Sequence, residues 1–383
     1  MIKLKLEGAQ RACTPEETLD RMRPHLYAAG ITRIGDITGM DRSGIPVAQA
    51  IRPDAYRLAV DSGKGMTPAA ARCSAMMEAF ERSVGESFIT TVKAKGNDIQ
   101  NAETRFQLLK GGAYNPDVEL EWAEAYGIKS GTQFLVPAPA VKLASKQHLW
   151  PLYGCAFTST SNGLSSGNTL EEAIAGGLYE VIERDQVSCC FGGKKFGRKV
   201  DLEVAQSESV GDLIERLRLK DIFPVLFDCT FDFGVPVYVA YLYDSERNTG
   251  LYKGYACHLD PVVAQCRAIC EAVQSRTVWM AGSRDDITHE SFVKSKQDDN
   301  ASTLASLLLE KPNVRLDAHE DCSKKTFSED VDALLLRFGR LGLPEPLLKT
   351  FEHQYPCSVV RVLAPSLEGY MHAFGQLGER VFK

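Results

Sequence analysis

Three stretches of this chain share one register. "TPAAARCSAMMEAFER" begins at Thr67, "TLEEAIAGGLYEVIER" at Thr169 and "DPVVAQCRAICEAVQSR" at Asp260. Each opens on a residue whose side chain can cap a helix N-terminus. Pro68 and Pro261 follow at the first helical position, where a missing N–H costs nothing. Four residues past each cap comes alanine (Ala71, Ala173, Ala264), and seven further on comes glutamate (Glu78, Glu180, Glu271). Three further on stands Glu81, Glu183 or Gln274. Arg82 and Arg184 follow at once, and Arg276 comes two later in the third copy. A threefold repeat of this kind constrains the fold more than any single motif, because like units pack against one another.

The register also sets which side chains share a face. At about 100° per residue, Ser74, Glu78 and Glu81 fall on one stripe, opposite Met76, Phe80 and Val84. In the second helix Glu172, Glu180 and Glu183 lie with Gly176, opposite Ile174, Leu178, Val181 and Ile182. In the third, Arg267, Glu271 and Gln274 cluster away from Ile269 and Val273. Each helix is therefore expected to bury one face and present carboxylates from the other. Gly176 leaves a gap in its acidic face where a ligand would fit. The approaches "SGKG", "SNGLSSGN" and "KGYACH" are glycine-rich, which suits close approach of backbone to a ligand. A helix N-terminus adds N–H donors and a positive dipole end for phosphate.

Taken singly, an acidic stripe is a solvated face, ExxER is an intrahelical ion pair, and Glu172 closes a capping box with Thr169. Three such helices in one register point instead to faces that converge. Crowded carboxylates repel and call for cations between them. Hard oxygen ligands with open positions suit Mg²⁺, which takes carboxylates together with substrate phosphates. Lys64 would then neutralise phosphate, and Arg82, Arg184 and Arg267 would orient or bind it. Lys64 is not a P-loop lysine: G-x-x-x-x-G-K-[ST] is absent from the chain. The expectation is ATP binding on a different scaffold.

Bulk properties narrow the alternatives. The chain has 383 residues, 44% hydrophobic and 25% charged, with net charge −6. It can bury a large core, and its charge argues against a nucleic-acid-coating role. No secretory h-region opens the chain and no run of about 18 apolar residues occurs, so a cytoplasmic, non-membrane protein is expected. The 11 cysteines include no CxxC pair. They are expected to be reduced, small buried hydrophobes, with a sulfur-relay role as the alternative for one of them.

The long blocks "GKGMTPAAARCSAMMEAFER", "STSNGLSSGNTLEEAIAGGLYEVIER" and "DPVVAQCRAICEAVQSR" resemble the three signature blocks of the YcaO superfamily. "TPEETLDRMRPHLYAAGITRIGDITGMDRSGIPV" and "VVRVLAPSLEGY" extend the likeness over roughly 14 to 370. The resemblance implies ATP-dependent modification of peptide backbone amides, the amide oxygen being activated by phosphorylation. An attacking side chain then gives an azoline, sulfide a thioamide, and an amine an amidine. It also implies a site. Ser74, Glu78, Glu81, Asn168, Glu172, Glu180, Glu183, Arg184, Arg267 and Glu271 stand at the family's nucleotide and Mg²⁺ positions beside Lys64, with Glu78, Glu81, Glu180, Glu183 and Glu271 as metal ligands. Many azoline-forming members end in a proline-rich tail; "LEGYMHAFGQLGERVFK" is not one. The N-terminal block and "PSLEGY" look more like thioamide-forming members, which work with a TfuA-like partner that helps deliver sulfide. No fused E1-like peptide-binding domain is visible, so an E1-like partner is a further expectation, as is a homodimer.

The expected fold is α/β: a YcaO-like fold of mixed sheets, with three carboxylate-bearing helices lining a nucleotide cleft. A small N-terminal unit (1–55) precedes the ATP-binding catalytic domain (56–383), with a looser insertion at 286–325. Strands are expected at "YRLAVDS", "FLVPAPAV", "FPVLFDCT", "VPVYVAYLYD" and "SVVRVLAP", and helices from Thr14 to about His25 and near 303–310 and 329–341. The competing functions are a non-catalytic peptide-binding scaffold and a metal-dependent hydrolase. The intact acidic sets oppose the first, and the dispersed histidines oppose the second. His258 is a candidate base, with capping or packing as its alternative role. The catalytic base is otherwise unassigned.

Overall fold

The computed structural model describes residues 2–90, 92–143, 157–192, 197–204, 207–244, 251–284, 286–287, 308–369 and 376–382. A two-stranded hairpin, β1 (Leu4–Leu6) and β2 (Ala9–Arg11), leads into α1 (Pro15–Met22). Thr14 and Glu17 close a reciprocal capping box at its start, and a 3₁₀ turn carries the chain on through His25. Then come β3 (Arg33–Asp36), β4 (Val47–Ile51) and β5 (Val60–Lys64), one antiparallel sheet, followed by α2 (Pro68–Ser87). The division expected near residue 55 falls between β4 and β5, which are hydrogen-bonded neighbours.

A second sheet runs β6 (Val92–Lys95), β7 (Glu119–Gly127), β15 (Leu347–Thr350), β16 (Ser358–Leu363) and β9 (Leu164–Gly167), with β8 (Gln133–Pro137) also paired to β7. The third sheet is ordered β13 (Tyr252–Cys257), β12 (Val237–Asp244), β11 (Ile222–Asp228), β10 (Arg198–Asp201) and β14 (Val314–Arg315). It is antiparallel except for the β10–β14 pair. The longer helices α3 (Leu170–Gly192), α4 (Glu208–Arg218) and α5 (Pro261–Ala281) pack on these sheets, and α6 (Phe327–Arg340) packs on α3. None is long and apolar enough to cross a membrane.

The period of two along β12 explains how the third sheet is covered. Val237, Val239 and Tyr241 face a core shared with Leu178 and Ile182 of α3 and Leu334 and Phe338 of α6. Tyr238, Ala240 and Leu242 face the other way, against Leu213 and Ile214 of α4 and Ile269 and Val273 of α5. Both faces are buried, so β12 reads as an unbroken apolar run. On α2, Met76 and Phe80 are fully buried against Ala48 and Ala50 of β4, each contributing about 1.5–3 kcal/mol by burial.

The expected strands and the helices at 14–25 and 329–341 are present. Most of the helix expected near 303–310 and half of the insertion at 286–325 lie outside the described residues. α4, capped by Ser207, was not among the expected elements. Two glycines of the strands also take a different role from the one expected. A Cβ on Gly63 would overlap the backbone of Ala71 and Ala75, and one on Gly254 the backbone of Ala268 and Ala272. The close approach they permit is between a strand and its own following helix. Gly176 likewise meets Ser165 Oγ of β9, so the gap in the acidic face of α3 is filled by protein.

Candidate active site

The three helices of the repeat each follow a strand: β5 leads to α2, β9 to α3 and β13 to α5. Their caps form as the sequence implies. Thr67 Oγ1 accepts from Ala70 N at 3.1 Å, Thr169 Oγ1 from Glu172 N at 3.2 Å, and Asp260 Oδ1 from Val262 N at 3.0 Å. Each helix also packs on the strand of the next unit: α2 on β9, α3 on β13, α5 on β5. The three strand–helix units therefore close into a ring.

Polar contacts cross each junction of that ring. Ser166 of β9 donates to Glu81 Oε1 of α2 from its N at 2.9 Å and its Oγ at 2.7 Å. The guanidinium of Arg184 on α3 lies 5.9 Å from the centre of the Tyr255 ring on β13. Lys64 Nζ of β5 sits 2.5 Å from Glu271 Oε2 of α5, and Gln274 Nε2 donates to Ser62 O of β5 at 3.0 Å. The residue three positions past the repeated glutamate is thus a docking residue in the first and third units. In the third it is an amide, and it bonds a carbonyl where Glu81 accepts from an N–H.

The ring gathers more negative charge than its own cations settle. Glu78 pairs with Arg82 at 2.8 Å, while Arg82 also holds Asp61 at 2.8 Å. Arg184 reaches Glu183 at only 3.6 Å and Glu180 at 4.0 Å. Burial pushes Glu81 up to about 8, with Glu78 and Glu180 adding to the shift. Burial lifts Glu183 to about 7 against Arg184, with Glu271 and Glu180 adding repulsion. Glu180 is raised for the same reason. Burial also works against the Glu271 carboxylate, but Lys64, Arg184 and Arg267 outweigh it and hold its pKa below the ordinary value. Glutamates of three separate helices therefore sense one another, as converging faces require. At 26% and 13% side-chain exposure, Glu180 and Glu183 remain open to a ligand.

These groups fit Mg²⁺ held together with phosphate. Among the described residues no three Asp, Glu, His or Cys side chains close tightly enough to hold an ion unaided. Mg²⁺ accepts one or two carboxylates and completes its shell with phosphate oxygens and water. A cation placed among such carboxylates would relieve the burial and mutual repulsion that raise their pKa values. A pH dependence follows. Glu81 and Glu183 have folded pKa values above the ordinary 4.5, so between about pH 5 and pH 8 the folded protein binds more protons than the unfolded chain. Stability is then lost as pH rises through that window. Thermal melts without nucleotide should fall across it more steeply for wild type than for the Glu81→Gln/Glu183→Gln double variant. Equal slopes would remove these two carboxylates from the crowded set.

Other expected site residues take distinct places. Glu172 is 4% exposed. Its carboxylate accepts from Asn168 N at 2.9 Å and Nδ2 at 3.1 Å, with Arg11 Nη1 at 3.7 Å, and so does not close the reciprocal box with Thr169. Asn168 Oδ1 in turn accepts from Thr18 of α1 at 2.9 Å and from Arg21. Ser74 is half-buried on α2, and Arg267, half-buried on α5, has its pKa lowered by burial and by Arg11. Arg276 leaves the cleft altogether: it is 2% exposed and bound to Asp41 at 3.0 Å and Asp244 at 2.8 Å. His258 is buried, accepts from Asp260 N at 2.9 Å and stacks on Tyr179 at 4.5 Å, which is the capping and packing role. Cys189, Cys257, Cys266 and Cys270 are buried free thiols whose pKa burial pushes up.

Three residues unremarked in the sequence join the region. Asp61 binds Arg82 across β5 and α2, and burial lifts it to about 6. Arg52 ties Asp61 at 3.2 Å to Glu86 at 3.1 Å. Arg361 of β16 interacts electrostatically with Glu180. A lone charge inside an apolar strand, as in "SVVRVL", is the signal that marks Arg361.

Comparisons with known proteins identify the family and the fold. A family model described as YcaO cyclodehydratase, ATP- and Mg²⁺-binding, matches residues 62–368. A Methanothermobacter thermautotrophicus protein is 34% identical over 381 residues, covering 97% of this chain and 98% of its own. A Rhizobium leguminosarum bv. trifolii protein, described by its place in the tfuA 3′ region, is 32% identical over 377 residues, covering 94% and 88%. Among solved structures, YcaO from Methanopyrus kandleri, bound with AMPPCP and Mg²⁺, superposes with TM-score 0.79 at 24% identity over 99% of both chains. A heterocyclase in complex with substrate and cofactor gives TM-score 0.79 at 21% identity, covering 96% of this chain and 55% of its own.

Proposed function

Because this chain belongs to the YcaO family of ATP- and Mg²⁺-binding enzymes, we propose that it uses ATP to replace a peptide backbone amide oxygen with sulfur. The observation that carries the reading is the closed ring of charged groups on α2, α3 and α5. The relative described by the tfuA 3′ region supports sulfur as the incoming atom. The proposed nucleotide site comprises Lys64, Ser74, Glu78, Glu81, Asn168, Glu172, Glu180, Glu183, Arg184, Arg267 and Glu271. Of these, Glu78, Glu81, Glu180, Glu183 and Glu271 would share Mg²⁺. The ion, when bound, neutralises phosphate charge and polarises the transferring phosphoryl group. Lys64 and Arg184 bring positive charge to the same place, and the loose pairing of Arg184 leaves its donors available to phosphate.

The amide oxygen attacks the γ-phosphorus, an O–P bond forms, and the bond to ADP breaks. Hydrosulfide then adds to the activated carbon, the C–O bond breaks, and the oxygen leaves on phosphate with the hydrosulfide's proton as HPO₄²⁻. No oxidant or reductant is consumed.

The test is coexpression with a candidate precursor peptide or protein and a TfuA-like partner, followed by intact-mass analysis. The expected product carries one sulfur in place of one oxygen, with ADP released. Loss of one water instead would establish the azoline-forming reading, which the cyclodehydratase description of the family favours, and would direct the search to an E1-like partner. An unchanged peptide with no nucleotide binding would leave a peptide-binding scaffold. The homodimer belongs to the same proposal and is checked by light scattering.

A further inference from the structure

β16 carries one charged residue into the interior. Arg361 lies between Val360 and Val362 and is 2% exposed. Its Nη2 donates to Thr160 O at 2.6 Å. Among the described residues its Nε and Nη1 meet no acceptor, and the buried Asn162 Oδ1 meets no donor. Arg361 and Asn162 both line a cavity of about 60 Å³, together with Gln107, Thr158, Thr160 and Val181 of α3. That is room for a few waters or one small tetrahedral anion.

A buried guanidinium without a paired anion is costly, and native structures rarely leave one so. Burial lowers its pKa only to about 10, so it stays charged at neutral pH. No carboxylate ion-pairs with it among the described residues; Glu180 acts on it electrostatically. The cavity therefore borders the carboxylate ring through the turn of α3 that carries Glu180 and Val181. Planar, fixed N–H donors suit oxyanions better than a soft, weakly accepting sulfide.

We propose that this cavity is a phosphoryl subsite, in which Arg361 holds the phosphoryl oxygens on the amide and then the departing phosphate. It rests on the amide-phosphorylation reading above. Through Glu180, with which Arg361 interacts, the cavity adjoins the proposed nucleotide site, so Arg361 would stabilise charge on the group being transferred.

The test is equilibrium dialysis of radiolabelled inorganic phosphate against protein saturated with Mg·ADP. Wild type should bind one equivalent. Arg361→Gln should bind phosphate at least about tenfold more weakly, the value of a charge-assisted hydrogen bond, with Mg·ADP affinity held within about twofold. Arg361→Lys, which keeps the charge and loses the planar fork, should fall between them. If Arg361→Gln fails to fold, Asn162→Asp places a negative charge in the cavity without touching β16 and should weaken phosphate equally. Wild type that binds Mg·ADP and no phosphate overturns the subsite alone. Unaltered phosphate affinity in Arg361→Gln overturns it too, as does a matching loss of Mg·ADP affinity, which would put Arg361 on the nucleotide. Wild type that binds no Mg·ADP sinks the nucleotide reading and the subsite together.

Discussion

Glu183→Gln is expected to leave the metal-free protein at least as stable as wild type while lowering Mg²⁺-dependent ADP release by about 10²–10³-fold. Both halves follow from the same crowding. Burial and the neighbouring Glu271 and Glu180 lift Glu183 to about 7, so the folded chain resists its ionisation. Glutamine has the shape of the protonated acid and removes that repulsion. It also removes the anionic oxygen that a hard cation needs. A site that gains stability when its function is deleted has been kept at a cost to the fold. Thermal melts and an ADP-release assay with and without Mg²⁺ separate the two effects. Retained turnover would take Glu183 out of the site. An earlier melt would mean that the carboxylate is satisfied by native partners rather than crowded by them.

The local parts of this site were legible in the sequence and its closure was not. Caps at Thr67, Thr169 and Asp260 and the apolar faces of α2, α3 and α5 depend on residues within a few turns of one another, so periodicity reveals them. The ring depends on contacts between residues far apart in the chain: Ser166 with Glu81, 85 residues away, and Lys64 with Glu271, 207 residues away. No spacing rule encodes such pairs; the repeat only hinted that the helices share a centre. Glycine misled for a physical reason. Gly63, Gly176 and Gly254 all mark close approach, and the sequence cannot say whether a ligand or another stretch of protein does the approaching. Asp61 on β5 and Arg52 just past β4 escaped notice because neither sits in an unbroken apolar run, although Arg52 and Arg82 both hold Asp61 and so tie α2 to β5 and the end of β4.

Arg276→Ala is expected to destabilise the fold by about 3–5 kcal/mol, the loss typical when one partner of a buried ion pair is removed. Arg276 is the third unit's counterpart of Arg82 and Arg184, displaced by one residue relative to the repeated glutamate. One residue turns a helix by about 100°, which is enough to swing the side chain out of the ring. There it binds Asp41 and Asp244, both almost fully buried, and lies 5.4 Å from the centre of the Tyr252 ring. Alanine would take the Arg276 charge from both Asp41 and Asp244, leaving Asp244 still paired with Arg42 at 2.6 Å. Denaturant titration should show the midpoint falling, while the fraction still folded binds Mg·ADP as wild type does. That combination would distinguish Arg276 from Arg184, whose loss should weaken nucleotide binding directly. A folded Arg276→Ala protein of normal stability and weakened Mg·ADP affinity would return Arg276 to the cleft and end its separation from Arg184.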